Sequence, residues 1–280
     1  MIEKAGWLVA PTKGMRPFLR LLAEAALARG GRVLAEPFHG RFAFFVGADG
    51  RAHPVHGAAL GLNGDAAARL AGDKDYAAKV LGYAGIQVPE HVILLAGREP
   101  GPSLNWAREE AGFPIWVKPN EGHGGEGVTQ ATDLTALKVA LGPLRAGGRH
   151  VLLQAHQPGR ELRVMVLEGR VALSYERVSA EGKPKNLSQG AEVKAVEMHP
   201  DIAALAVRAA AALGLRWAGV DVITPDPALS DAVVLEVNAA PGLDAYAAAT
   251  PENWAQARAV LGAALEALEH SNQRLADQAG

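Results

Sequence analysis

Apolar and polar residues follow two periods along the chain, one helical and one alternating, and the switches between them mark the expected elements. Residues 1–72 read as a small mixed segment: a strand near Gly6–Ala10, a helix over Arg16–Arg29 stopped by Gly30-Gly31, and a strand from Arg32. A hairpin follows, Phe42–Val46 with Ala52–Val55 around Gly47-Ala48-Asp49-Gly50, because Asp-Gly readily takes the positive φ angles of a tight turn. From Asp73 the pattern predicts a helix over Tyr76–Ala84, a strand-like Ile86–Pro89, a strand Ile115–Lys118, a helix Leu134–Leu141 and a strand His150–Gln154. Beyond Glu161, Leu162–Leu167 and Arg170–Arg177 flank Glu168-Gly169 as an antiparallel pair, and the alanine-rich Asp201–Leu213 is a helix ended by Gly214. Strands Gly219–Ile223 and Val233–Val237 enclose a turn at Pro225-Asp226-Pro227, and Glu252–Ala279 is a helical tail. The sum is an α+β protein in three parts: a small N-terminal α/β unit over 1–72, a small lobe over 73–153 and a large lobe over 154–280.

Composition narrows the chemistry. With 49% hydrophobic and 21% charged residues the chain is ordinary globular material, and with no cysteine it has no thiol nucleophile, disulfide or cysteine-held metal. A net charge of -2 argues against a nucleic-acid-coating face. No apolar run approaches the ~20 residues of a membrane span, and the start lacks the layout of a secretion signal, so a cytoplasmic protein off the membrane is expected.

Two stretches carry candidate chemistry. In Val117-Lys118-Pro119-Asn120-Glu121-Gly122-His123-Gly124-Gly125-Glu126-Gly127-Val128-Thr129 a strand ends in a lysine and a glycine-dense loop, four glycines in six positions. Such a loop lets backbone N–H groups converge on a phosphate beside the lysine; the alternative is a mobile surface hairpin with a solvated Lys118. Because the lysine precedes the glycines and no helix immediately follows, neither a P-loop nor a Rossmann turn is present. In the second stretch, alternation sets Asp221 opposite to Val220 and Val222, and Glu236 and Asn238 opposite to Leu235 and Val237. Two carboxylates and a carboxamide suit Mg²⁺ better than they suit a solvated strand face flanked by valines. Ala239-Ala240-Pro241-Gly242-Leu243 turns the chain sharply after them. His53 and His56 lack a nearby third ligand and read as strand or loop residues rather than a metal pair. The Ala203–Leu213 stripe reads as core packing.

Taken in order, Lys74, Lys118 with its glycine loop, Glu161 after Pro158-Gly159-Arg160, Asp221, and Glu236-Val237-Asn238 with Pro241-Gly242 resemble the ATP-grasp carboxylate–amine ligases over about residues 60 to 250. Ala218-Gly219-Val220-Asp221-Val222, Leu235–Leu243 and Asn186-Leu187 with Gly190 are most similar to the cyanophycin synthetase ATP-grasp region and the ligase half of bifunctional glutathione synthetases. The ribosomal-protein-modification glutamate ligases stand a little further away. The resemblance implies an ATP-grasp fold with two α+β lobes enclosing ATP. It implies phosphate contacts from Lys74, Lys118 and the loop Gly122, His123, Gly124, Gly125 and Gly127. Adenine would lie against Gln154 to Gln157 and the ribose hydroxyls on Glu161, with Mg²⁺, or Mn²⁺ in its place, on Asp221, Glu236 and Asn238. Arg177, Arg163 and Asn186 would sit near the transferring phosphoryl group; the alternative for the arginines is an ion pair with Glu161 or Glu176. The implied partners are a small-molecule carboxylate and amine, amino acids or peptides, with a homo-oligomer left open.

The chain also departs from the pattern. Gly219 stands where the D-alanine–D-alanine ligases carry an arginine two positions before the metal aspartate, Gln154 and Ala155 replace an acidic pair at the adenine connector, and Glu126 puts a negative charge in the loop. The expected activity is ATP-dependent amide formation through an acyl-phosphate. An ATP-grasp kinase acting on a hydroxyl and a non-catalytic nucleotide-binding regulator are the alternatives.

Overall fold

The computed structural model describes residues 7–10, 14–37, 40–122, 124–179 and 191–279, the side chains of 272–279 excepted. The first sheet is an antiparallel meander in chain order, β1 (Leu8–Ala10), β2 (Arg32–Ala35), β3 (Phe42–Val46) and β4 (Ala52–His56). Helix α1 (Pro17–Leu27) links β1 to β2; proline occupies its first turn, where no N–H is needed, and its buried stripe includes Phe18, Leu21, Leu22 and Ala25.

Helices α2 (Asp65–Gly72) and α3 (Lys74–Tyr83) precede a second antiparallel sheet. Its strands are β5 (His91–Leu94), β6 (Ile115–Pro119), β7 (Thr129–Ala131) and β8 (Val151–Ala155), ordered β5-β8-β6-β7. Helix α4 (Gly101–Trp106) runs into a π-helical turn at Ala107–Ala111, and α5 (Leu134–Ala146) covers the sheet, burying Leu137 and Leu141 against Ile115, Val117 and Leu153. The strand expected at Ile86–Pro89 begins instead at His91. The Ile86 N–H closes α3 onto the Leu81 carbonyl, while the Gln87 carbonyl accepts from Val234, so this stretch joins the end of α3 to the large lobe.

The third sheet is antiparallel and ordered β11 (Glu192–Lys194), β10 (Arg170–Val178), β9 (Arg160–Leu167), β12 (Trp217–Thr224) and β13 (Val233–Asn238). Helix α6 (Pro200–Ala212) lies on it, and the tail forms α7 (Asp244–Ala249) and α8 (Pro251–Ala279). The break between these last two falls at Thr250, extended at φ -147, because Pro251 disfavours a helical residue before it. No helix among the described residues is long and apolar enough to cross a membrane.

Side-chain alternation gives this third sheet two unlike faces. On one, Val164, Val166, Val220, Val222 and Val237 pack dry beneath α2, α3 and α6. The alanine stripe of α6 is therefore core, and α3, on the far side of the expected boundary at 72/73, packs on the large sheet. On the other face, Met165, Leu167, Tyr175 and Trp217 join a core containing Phe18, Leu22 and Phe45 of the N-terminal unit and Leu261 and Leu265 of α8. That core covers only one end of the face. The remaining end, around Glu161, Arg163, Arg177 and Asp221, floors a cleft.

Candidate functional site

The cleft floor is assembled by register across four strands. On β9, Arg163 stands opposite Tyr175 of β10 and Asp221 of β12, and Glu161 stands opposite Arg177; on β13, Glu236 stands opposite Asp221 and Asn238 opposite Gly219. Arg163 grips Asp221 with two contacts, Nε to Oδ1 at 2.5 Å and Nη2 to Oδ2 at 3.1 Å. Arg177 reaches the same Oδ2 at 2.8 Å and also pairs with Glu161. Arg177 therefore does make the Glu161 pair that stood as the alternative reading, buried rather than at the surface, and adds Asp221 to it; Arg163 pairs with Asp221 alone, and Glu176 is taken by Arg160 at 2.6 Å and 3.0 Å.

The charges are buried, so their pairing decides their ionisation. Burial alone would raise the pKa of Asp221, but Arg163 and Arg177 outweigh it and hold the carboxyl below its usual range. Burial likewise opposes the charge on Arg177, and Asp221 and Glu161 overcome it, so that its pKa is raised. Tyr175 beside them is pushed up by burial. One donor of the cluster, the buried Nε of Arg177, has no hydrogen-bond partner among the described residues.

Two backbone features shape this floor. A Cβ on Gly219 would lie 2.8 Å from Cβ of Pro241 and 2.9 Å from Nη1 of Arg163, so only glycine lets the guanidinium and the proline both close over β12. Between Asp221 and Val222 the register slips, pairing them with Glu236 and Val234 and leaving Leu235 without an opposite residue. Strict alternation put Leu235 on the core face; the irregularity brings it to the cleft.

The roof comes from the small lobe. Lys74 opens α3 and sends Nζ to the Gly122 carbonyl at 3.0 Å, 3.9 Å from Glu236 across the cleft. Asn120 ties α3 to the loop after β6, its carbonyl accepting from Lys74 N–H at 3.2 Å and its Oδ1 from Asp75 N–H at 3.0 Å. Gly122, Gly124 and Gly125 take positive φ and line the cleft. Gly127 does not line it: a Cβ there would meet Pro119 at 3.1 Å and Leu144 at 3.2 Å, so this glycine packs the loop onto its own lobe.

Lys118 is buried and donates to Oε1 of Gln154 at 2.6 Å. Burial lowers its pKa, against the pull of Glu236 and Glu161. Gln154 is thus engaged with Lys118 and is not among the lining residues, which at the connector are Ala155, His156 and Gln157. His156 is held by Trp116, whose Nε1 donates to it at 3.1 Å. His123 and Asn186 lie outside the described residues. His53 and His56 sit on opposite faces of β4, stacked on Phe45 and Phe42 respectively, so the strand itself separates them.

One organising residue carries no sequence signature. Asn63 donates to the carbonyls of Trp217 at 2.7 Å and Ala239 at 2.8 Å and accepts from the N–H groups of Arg216 at 2.9 Å and Trp217 at 3.0 Å. It pins the loop after β4 to the ends of β12 and β13.

The residues present fit both expected ligands. Among the described residues no three His, Cys, Asp or Glu side chains cluster as a metal set. The candidate donors are two carboxylates and an amide, with Asn238 Nδ2 3.4 Å from Asp221, and an all-oxygen set of this kind suits a hard cation. A cation held on Asp221 would have to share that carboxylate with Arg163 and Arg177. For a nucleotide, the cleft supplies two lysines, the glycine loop and the unpartnered Arg177 Nε, in a volume of about 1790 Å³. That exceeds the ~300–1,000 Å³ of an ordinary small-molecule pocket and leaves room for a second ligand.

The chain is similar to known proteins in sequence and in fold. A family profile described as a RimK-like ATP-grasp domain matches residues 71–257. A probable alpha-L-glutamate ligase of Pectobacterium carotovorum is 30% identical over 217 residues, covering 76% of this chain and 68% of that one. One of Sodalis glossinidius is 34% identical over 193 residues, covering 68% of this chain and 63% of its own length. Among solved structures, D-alanine–D-alanine ligase from Bacillus anthracis complexed with ATP superposes with a TM-score of 0.59 at 21% identity, over 78% of this chain and 71% of that one. A bifunctional glutathione synthetase from Pasteurella multocida gives 0.56 at 17% identity, over 83% and 41%. Similarity at those identities establishes the shared fold.

Proposed function

The chain belongs to the RimK-like ATP-grasp family, and from that premise we propose that it is an ATP- and Mg²⁺-dependent ligase joining a carboxylate to an amine. The observation that carries the reading is the cleft itself, in which a floor of Asp221, Glu236, Asn238, Arg163 and Arg177 faces a roof of Lys74, Lys118 and the glycine loop. In the proposed reaction the γ-phosphoryl group of ATP passes to a carboxylate oxygen, and the amine nitrogen then attacks the acyl carbon and expels phosphate. The products are an amide, ADP, phosphate and the proton lost by the amine. ATP supplies the leaving group that a free carboxylate lacks, and Mg²⁺ neutralises its phosphates.

The chain's own residues do the positioning. Lys118, desolvated and held by Gln154, and Lys74, aimed across the cleft, meet phosphate charge in a site where little water screens them. Arg177 offers its spare Nε to the group in transfer, and its pairing with Asp221 and Glu161 keeps the guanidinium from swinging away. Arg163 holds Asp221 in place from the adjacent strand. Ala155, His156 and Gln157 border the base, and Glu161 accepts from the ribose while shared with Arg177. The glycine loop closes over the phosphates and excludes water from the acyl-phosphate.

The test is ATP-dependent hydroxamate formation with hydroxylamine as the amine and pooled amino acids and short peptides as donors. A hydroxamate with matching ADP release is the expected result. A stable phosphoester instead would make the protein a kinase, and binding of ATP with no turnover in any pool would make it a regulator.

A further inference from the structure

Both oxygens of Asp221 are engaged by donors. Oδ1 accepts from Arg163 Nε at 2.5 Å, and Oδ2 takes Arg163 Nη2 at 3.1 Å and Arg177 Nη2 at 2.8 Å. Asn238 also turns its amide nitrogen toward Oδ2, at 3.4 Å, and reaches the Gly219 carbonyl at the same distance. Glu161, two residues before Arg163 on β9, pairs with Arg177 as well. Glu236 is held far less: it stands opposite Asp221 on β13, has a partly exposed side chain and meets Lys74 at 3.9 Å.

Two buried guanidiniums thus meet two buried carboxylates, and the charge of the floor is already matched within the protein. Other carboxylates line the cleft and keep their charges, among them Asp65, Asp73, Glu121, Glu126 and Asp244. They are exposed or, for Asp244, half-buried, so water screens them, and none pairs with Arg163 or Arg177 among the described residues. A cation arriving alone at Asp221 therefore meets a carboxylate whose charge two fixed guanidiniums already offset, at a depth where repulsion between the cation and those guanidiniums is weakly screened.

Resting on the nucleotide site of the ligase reading above, we propose that Arg163 and Arg177 compete with the divalent cation for Asp221, so that the cation is held only when nucleotide phosphates are present as well. Phosphate oxygens give the guanidiniums a second anion to serve, and Arg177 has a donor to spare for them, its Nε having no hydrogen-bond partner among the described residues. Arg163 is then a positioning residue that sets cation affinity through the charge of Asp221. By linkage, the factor by which nucleotide raises cation affinity is the factor by which the cation raises nucleotide affinity.

Phosphates also ligate a cation directly, so the experiment removes the nucleotide. Mn²⁺ binding to the full chain is measured by electron paramagnetic resonance of the free ion, in the wild type, in Arg163→Met and in Arg163→Met combined with Asp221→Asn. ADP binding in the presence of Mg²⁺ is measured on the same proteins by calorimetry. Arg163→Met is expected to bind Mn²⁺ about tenfold or more tightly than the wild type, the effect of removing one adjacent buried positive charge. Asp221→Asn is expected to abolish that gain. A gain in affinity cannot come from a damaged fold, and Arg177→Met, which frees the other contact to Oδ2, offers a second route to it. Mn²⁺ affinity unchanged or weakened in both methionine variants, or a gain that survives Asp221→Asn, would overturn the competition. So would a wild type that binds Mn²⁺ as tightly without ADP as with it. A gain abolished by Asp221→Asn, in a wild-type chain that binds no ADP, would keep the competition for Asp221 and overturn the ligase reading instead.

Discussion

The guanidinium of Arg163 closes over Gly219, with its Nη1 2.9 Å from where a Cβ on the glycine would stand. Gly219 and Asp221 lie two residues apart on β12 and therefore on one face, so the space that Gly219 leaves empty is the space from which Arg163 reaches Asp221. Gly219→Ala should push Arg163 and Pro241 aside at a cost of about 1–3 kcal/mol, as overpacking does. Chemical denaturation should show that loss, and hydroxamate turnover should fall at least as steeply; a variant equal to wild type in both would mean that Arg163 moves freely.

Asp221 and Glu236 are proposed to share one cation, yet their removal should differ. Asp221→Asn leaves two buried guanidiniums short of a carboxylate, and breaking a buried ion pair costs about 3–5 kcal/mol. Glu236 has a partly exposed side chain, with its nearest cation, Lys74, 3.9 Å away, so Glu236→Gln should change stability by about 1 kcal/mol or less. Its effect should fall on the Mg²⁺ concentration needed for half-maximal turnover. Urea unfolding and a Mg²⁺ titration separate the two, and equal unfolding midpoints would contradict the pairing.

Lys118 should make both stability and nucleotide affinity depend on alkaline pH. Its pKa is lowered by burial from 10.5, so as pH rises the native protein loses this proton before the unfolded chain does. Between the lowered value and 10.5 the unfolded state binds more protons, and this contribution to stability rises with pH. Phosphate favours the protonated lysine, so ATP affinity should fall over the same interval. Calorimetric titrations from neutral pH upward on the wild type and on Lys118→Met should show the fall only in the former, and parallel profiles would exclude Lys118 from the phosphates.

Asn63 satisfies four backbone groups with one carboxamide. Asn63→Ala should cost roughly 3 kcal/mol, within the range for leaving buried donors and acceptors unmade. Because the loop it pins borders the substrate end of the cleft, KM for the acyl donor should rise while ATP affinity holds. Asn63→Asp, which sets a carboxylate oxygen against the Trp217 and Ala239 carbonyls, should cost at least as much as alanine; a thermal melt with both KM values checks this.

Local pattern alone determined a good part of this molecule. The helix stops at Gly30, Gly85 and Gly214, the turns at Asp49-Gly50 and Glu168-Gly169, and the alternation of valines on β12 depend on neighbours within a few residues, and each appears where the pattern put it. For Asp221, Glu236 and Asn238 local alternation chose the face each side chain takes, and the pairing of β12 with β13 then brought them together. Leu235 escaped that rule because a bulge is set by the pairing of two strands, not by either one.

What lay beyond the sequence was every relation between distant segments. Which acid each arginine serves was decided by register across β9, β10 and β12; Arg163 and Asp221 are 58 residues apart in sequence and are paired only because their strands align there. Gln154 and Gly127 turned from the nucleotide to Lys118 and to Leu144 because a side chain's neighbours depend on how the sheet and helix pack. Arg16, Arg41 and Asn63 carry no motif at all, and the cleft acquires them only when the N-terminal unit docks on the end of the large sheet next to the cleft floor. Periodicity is a property of one segment and survives in the linear chain, whereas a charge partner or a cleft wall is a property of two segments and exists only once the tertiary structure has brought them together.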